Sequence, residues 1–108
     1  MLRSIPVDGA PGLTARYTST DVAQTLPAAV VTVAGKIAVG LDLTVEDNPV
    51  RIAFGGAVPS QGATPLGHLM LAGTSIRVYG SQVISTFRYI SANAVTPGIL
   101  QITVYYTP

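Results

Sequence analysis

The stretch Lys36-Ile37-Ala38-Val39-Gly40-Leu41-Asp42-Leu43-Thr44-Val45-Glu46 decides the fold class. Ile37, Val39, Leu41, Leu43 and Val45 recur at every second position, and Ala38, Gly40, Asp42, Thr44 and Glu46 fill the places between. Successive side chains of a strand point to opposite faces, so this alternation predicts a half-buried β-strand with the first set inward. Glu46-Asp47-Asn48-Pro49 supplies a turn, because Asp and Asn bond their own backbone and Pro fixes φ. Val50-Arg51-Ile52-Ala53-Phe54 resumes the alternation, which predicts Val50, Ile52 and Phe54 inward.

Moving toward the carboxyl terminus, Gly55 to Gly67 is a loop with four Gly and two Pro. Loops of this length usually carry function or are disordered. Short strands are predicted over His68 to Ala72, over Ser75 to Tyr79 with Ile76 and Val78 inward, over Phe87 to Ser91, and over Ile99 to Tyr106. Gly73-Thr74 separates the first two, and Gly80-Ser81 predicts one helical turn over Gln82 to Ser85, since Ser is a good N-cap. In the last strand Leu100, Ile102, Val104 and Tyr106 alternate with Gln101, Thr103 and Tyr105. Toward the amino terminus, strands are predicted near Ala28 to Ala34 and Tyr17 to Asp21. Pro6, Gly9, Pro11 and Gly12 interrupt periodicity before that, so Met1 to Arg16 reads as an extended arm and 17–108 as the domain. About eight short strands separated by turn signals predict an all-β chain, a single jelly-roll-like β-sandwich.

Composition narrows the function. Of 108 residues, 48% are hydrophobic and 10% charged, with a mean hydropathy of +0.48. A typical domain carries about a quarter charged residues. The longest apolar segment, Ala28 to Leu41, is broken by Thr32, Gly35, Lys36 and Gly40, short of the roughly 20 apolar residues a bilayer span needs. The excess apolar surface therefore calls for protein to cover it, and the expectation is an assembly subunit, a homo-oligomer without membrane partners. The six basic residues are dispersed and the net charge is +1, so no concentrated patch for nucleic acid exists in the sequence. The absence of Cys rules out disulfides and thiolate metal sites. The amino terminus lacks the apolar core of a signal peptide, and the expected site of synthesis is the cytoplasm.

Chemistry-bearing residues are few, and neither a cofactor nor an enzymatic activity is expected. His68, the only imidazole, reads as a structural hydrogen-bonding group rather than a base. Gly55-Gly56 with Ser60, Gln61 and Gly62 lacks the lysine of a phosphate-binding loop. Asp42, Glu46, Asp47 and Asn48 do not follow the order of an EF-hand. The five tyrosines, Tyr17, Tyr79, Tyr89, Tyr105 and Tyr106, suit a sugar-stacking platform or ordinary sandwich packing. Arg51, Arg77 and Arg88 alternate with inward residues and so project outward, either as interface donors to carboxylates or for solubility. Leu2, Ile5, Val7 and Leu13 in the arm, and Val58, Gln61 and Leu66 in the long loop, complete the candidate contact set.

One resemblance rests on the order of several segments: Asn48-Pro49-Val50-Arg51-Ile52-Ala53-Phe54-Gly55-Gly56, Pro59-Ser60-Gln61-Gly62, Leu66-Gly67-His68, Gly73-Thr74-Ser75-Ile76, Phe87-Arg88-Tyr89-Ile90-Ser91 and Leu100 to Tyr106. Together these resemble small virion structural proteins of tailed bacteriophages, of the capsid decoration or cement type. The resemblance covers about Val45 to Tyr106. It implies a β-sandwich or jelly roll, no catalytic residue, the major capsid protein as partner and the outer surface of the virion as location. It also implies a trimer ahead of a dimer, since hexagonally arranged shells offer local three-fold sites. Composition alone suits a tail or head-fibre module contacting a host surface equally well, and a small lectin-like domain remains a further alternative.

Overall fold

A computed structural model describes residues 10–33 and 35–107. The long alternating stretch forms the central strand of the larger of two antiparallel sheets. In chain order the elements are β1 (Ala10–Thr18), α1 (Ala28–Val31), β2 (Thr32–Val33), β3 (Lys36–Glu46), β4 (Val50–Ala53), β5 (His68–Met70), β6 (Ser75–Tyr79), α2 (Ser81–Thr86), β7 (Arg88–Ser91) and β8 (Ile99–Tyr106). The larger sheet runs β1-β8-β3, with β2 and β6 sharing the far edge of β3, and the smaller runs β5-β4-β7. The chain crosses between sheets after β3, β5, β6 and β7, which is the jelly-roll order. A single bridge, Gln24 to Tyr89, extends the smaller sheet beyond β7.

Period-two alternation puts the core between the sheets. Leu41, Leu43 and Val45 of β3 and Leu100, Ile102, Val104 and Tyr106 of β8 meet Val50 and Ile52 of β4 and Tyr89 of β7 in one buried cluster. Leu26, Val30, Ile84 and Phe87 join that cluster from outside the strands or from the helical turns. A second, polar tie links the sheets where β1 ends. Ser19 and Ser91, both buried, have hydroxyls 2.7 Å apart, and Ser19 Oγ accepts from Gly98 N at 2.8 Å while donating to Gly98 O at 3.1 Å. A hydroxyl has one proton, so Ser91 is the donor to Ser19.

Four sequence expectations need correction. First, residues 10–16 are not arm. They form most of β1, paired with β8 from Ala10↔Tyr106 to Thr18↔Ile99, so the sandwich begins at Ala10. Pro11 and Gly12 are tolerated because β1 is an edge strand and Gly12 lies at a register shift, where a Cβ would stand 2.5 Å from the Tyr106 ring. The strand expected over Tyr17 to Asp21 accordingly ends at Thr18, while Leu2, Ile5 and Val7 lie outside the described residues.

Second, alternation in β3 is broken by a shift between Ala38 and Gly40, so Ala38 is buried opposite Tyr106 and Ile37 is exposed. Third, the stretch expected as strand from Ala28 opens with a helical turn, in which Pro27 O accepts from Val30 N and Val31 N, and the strand begins at Thr32. Tyr106 Oη donates to Val30 O, fixing that turn to β8. Fourth, Phe54 follows the last residue of β4, and Gly55 and Gly56, at φ +71° and +80°, turn the chain away, leaving its ring on the rim. The helical turn expected after Gly80 is present as α2, with Gly80 rather than Ser81 at the cap and no side-chain capping bond.

Candidate interaction surface

Alternation on the smaller sheet sends Val50 and Ile52 to the core, and Arg51 and Ala53 to the opposite face. Across the strands Arg51 stands beside Leu69 and Ile90, and Ala53 beside Arg88. Ala53 and Ile90 are nevertheless buried, because the Gly55–Gly67 loop folds back over this face. Pro59 is fully buried, and Gln61 Nε2 donates to Ser91 O at 2.8 Å. Arg51 Nη1 donates to Gly67 O at 3.0 Å. The loop is closed on itself as well, with Ser60 N donating to Leu66 O at 3.0 Å and Leu66 N to Ser60 Oγ at 2.9 Å. The loop that supplies three of the candidate contact residues is thus pinned to its own sheet, and Gln61 is one of the pins.

What the loop leaves uncovered is an apolar rim along β5, the free edge of this sheet. Leu66, Leu69 and Leu71 are 53%, 48% and 57% exposed, and Phe54 is 38% exposed. Phe54 and Leu66 border a shallow depression of about 350 Å³ with Ala53, Ala57, Gly67 and His68. The Phe54 ring has its centroid 6.0 Å from that of His68 and 6.4 Å from that of Phe87. His68 therefore has an aromatic neighbour, and among the described residues no group of three His, Cys, Asp or Glu side chains gathers as metal ligands would. Exposed aliphatic side chains grouped at a strand edge can do one thing chemically, which is to lose water against another apolar surface.

The three arginines do not share a surface. Arg51 and Arg88 are half-buried on the outer face of the smaller sheet, whereas Arg77 is exposed on the larger one. There Arg77 Nε donates to Asp42 Oδ1 at 2.5 Å, Arg77 Nη2 to Asp42 Oδ2 at 3.2 Å, and Tyr105 Oη to Asp42 Oδ2 at 2.9 Å. The Arg77 hydrogen bond, opposed by partial desolvation and aided by Tyr105, holds the Asp42 carboxyl below its ordinary range. Of the remaining candidates, Val58 and Leu66 are exposed, while Leu13 packs against the core. The five tyrosines separate too: Tyr17, Tyr89 and Tyr106 point inward, with burial the first cause of their raised pKa values, and Tyr79 and Tyr105 point out.

Leu69 and Leu71 were not singled out by the sequence reading, and a signal for them exists. In His68-Leu69-Met70-Leu71 the two leucines fall at alternate positions on one face, opposite the face of His68 and Met70, and that leucine face holds no polar residue. No protein-family model, curated protein or solved structure matches the chain.

Proposed function

We propose that this protein is a structural subunit of a bacteriophage virion, a decoration or cement protein that binds the outside of the capsid and stabilises the shell. The observation that carries the reading is the apolar rim of Phe54, Leu66, Leu69 and Leu71 on the free edge of a small jelly-roll-like sandwich. Four of the segments that resemble virion proteins, Asn48 to Gly56, Pro59 to Gly62, Leu66 to His68 and Phe87 to Ser91, build the sheet and loop bearing that rim. Low charge supports the same reading, because few charges must be desolvated when the surface is covered.

Cementing needs no turnover. Contacts that exist only in the assembled shell favour the assembled state by mass action, and many symmetric sites multiply a modest affinity per copy. The partner is the major capsid protein, and the subunit acts as a homo-oligomer, a trimer ahead of a dimer.

Particles lacking the protein are expected to release DNA at lower temperature, and adding the purified protein back is expected to restore heat resistance without changing adsorption to cells. Particles of normal heat resistance that fail to adsorb would overturn the proposal in favour of a fibre module.

A further inference from the structure

The outer face of the larger sheet has a different chemistry from the apolar rim. Outward positions of β1, β8, β3 and β6 from Thr14 onward carry mostly Thr, Ser, Gln, Asp, Glu or Arg, with Gly40, two tyrosines, the buried Ile99 and the exposed Ile37 among the exceptions. Neighbouring strands tie these groups together: the Thr14 and Thr103 hydroxyls are 3.1 Å apart, those of Thr44 and Ser75 2.9 Å, and Gln101 Nε2 donates to Glu46 Oε1 at 3.3 Å.

The two tyrosines flank the glycine. Tyr79 on β6 and Tyr105 on β8 each stand directly opposite Gly40 on β3. Strands lie about 4.8 Å apart, so the two tyrosine backbones are about 10 Å apart, and Gly40 between them is buried although it has no side chain of its own. One pleat further along, Asp42 stands opposite Arg77. The Asp42 carboxylate is held by Arg77 and by Tyr105 Oη, as described above, and Arg77 uses two of its five N–H groups on it, leaving three to donate elsewhere. A shallow depression of about 410 Å³ continues from this pair between β3 and β6, with Thr44 and Ser75 on its walls.

We propose that the outward rings of Tyr79 and Tyr105, with Asp42 and Arg77 beside them, bind a neutral pyranose sugar, such as one unit of a glycan. Aromatic side chains offer an apolar face with a polar tip, which suits the C–H face of a sugar ring. The fixed carboxylate and guanidinium present acceptors and donors side by side, as neighbouring sugar hydroxyls require. Nucleic acid is disfavoured, because Asp42 and Glu46 offset Arg16 and Arg77 on this face. The site lies on the opposite sheet from the apolar rim, so sugar binding and shell binding stand or fall separately.

The test is titration of the full chain with glucose, galactose and N-acetylglucosamine, each to tens of millimolar, followed by amide chemical shifts. At least one sugar is expected to give saturable shifts centred on Gly40, Asp42, Arg77, Tyr79 and Tyr105. Tyr79→Ala, which truncates an exposed ring, is expected to keep the core shifts and weaken binding about tenfold. Tyr105→Phe keeps the ring and loses the bond to Asp42, so it is expected to bind more tightly than Tyr105→Ala. Absence of saturable shifts with all three sugars, shifts centred on the Leu69 rim, or undiminished binding by folded Tyr79→Ala would each overturn the proposal.

Discussion

Phe54 and Phe87 carry the same side chain in contact with one another, yet one is 38% exposed and the other fully buried. Truncating Phe87 removes a packed ring and leaves a cavity, so Phe87→Ala is expected to cost about 3–5 kcal/mol. Phe54→Ala deletes a ring that already meets water on one side, and about 1 kcal/mol is expected. Denaturant melts of the two variants check the contrast, and equal losses would place Phe54 in the core after all. Backbone room is equally residue-specific at Gly98, where a Cβ would meet the Asn48 carbonyl and stand 2.8 Å from Val50 Cγ1. Gly98→Ala is expected to destabilise by about 1–3 kcal/mol, as overpacked sites do. Charge acts more weakly. The Asp42 carboxyl is lowered chiefly by its bond to Arg77, and both side chains are substantially exposed. A lowered folded-state pKa gives stabilisation that is present above the ordinary Asp value of about 3.9 and lost as pH falls through the folded value. Wild type and Asp42→Asn are therefore expected to differ in Tm at neutral pH, to converge below about pH 4, and to converge also in high salt. A gap that persists in strong acid would assign the effect of the substitution to something other than the ion pair.

Elements follow the sequence where one period governs, and depart from it where a neighbour sets the phase. The strands Ser75–Tyr79 and Ile99–Tyr106 were legible to the residue, because the first alternates along its whole length and the second from Leu100 onward. In β3 the alternation is real from Leu41 to Val45, but the extra residue between Ala38 and Gly40 reverses it, and only the pairing with β8 reveals that reversal. The same strand end explains β1. Its Pro and Gly read as breakers in isolation, whereas at an edge, with the Tyr106 ring occupying the space beside Gly12, they are compatible with pairing. The contact surface was less legible than the fold. Arg51 and Gln61 were named for reaching a neighbour, and both instead bond to their own loop or sheet, a choice set by tertiary placement rather than by residue type. One consequence concerns truncation. Deleting 1–9 stops short of every described strand and is expected to leave the melting temperature within a few degrees of the full chain, whereas deleting 1–16 removes most of β1 from beside β8. The longer deletion exposes the edge of β8 and the partly buried Leu13 and Ala15 contacts to the core, so loss of cooperative melting is expected. Thermal melts of the two truncations decide the matter: equal behaviour would mean that β1 contributes nothing to the sandwich.

At the scale of the molecule the two sheets present unlike exteriors, and this asymmetry organises the proposed roles. The larger sheet turns a hydrogen-bonded polar face outward, while the smaller is roofed by its own loop and ends in an apolar edge. In a shell subunit the apolar edge is the part that must be covered, since aliphatic side chains gain by leaving water at about 25 cal/mol per Å². Leu69 and Leu71 are the best probes of it, because both are about half exposed and neither belongs to the core cluster. Leu69→Asp is expected to leave the isolated protein folded, changing its stability by about 0.5 kcal/mol or less as surface substitutions do. The same substitution sets a carboxylate in any interface formed there, with Arg51 across the strands as its nearest cation, and taking that charge out of water is unfavourable even when it is paired. Occupancy on capsids, read by gel quantification of purified particles after add-back, is therefore expected to fall at least tenfold for Leu69→Asp. Arg77→Ala, on the other sheet, is expected to leave that occupancy unchanged. Sedimentation separates the two interfaces that the rim can serve. If Leu69→Asp converts an oligomer to monomer, the rim joins copies of this chain; if the oligomer persists and only particle binding is lost, the rim faces the capsid protein. Full occupancy by a folded Leu69→Asp variant would remove the β5 edge from the assembly altogether.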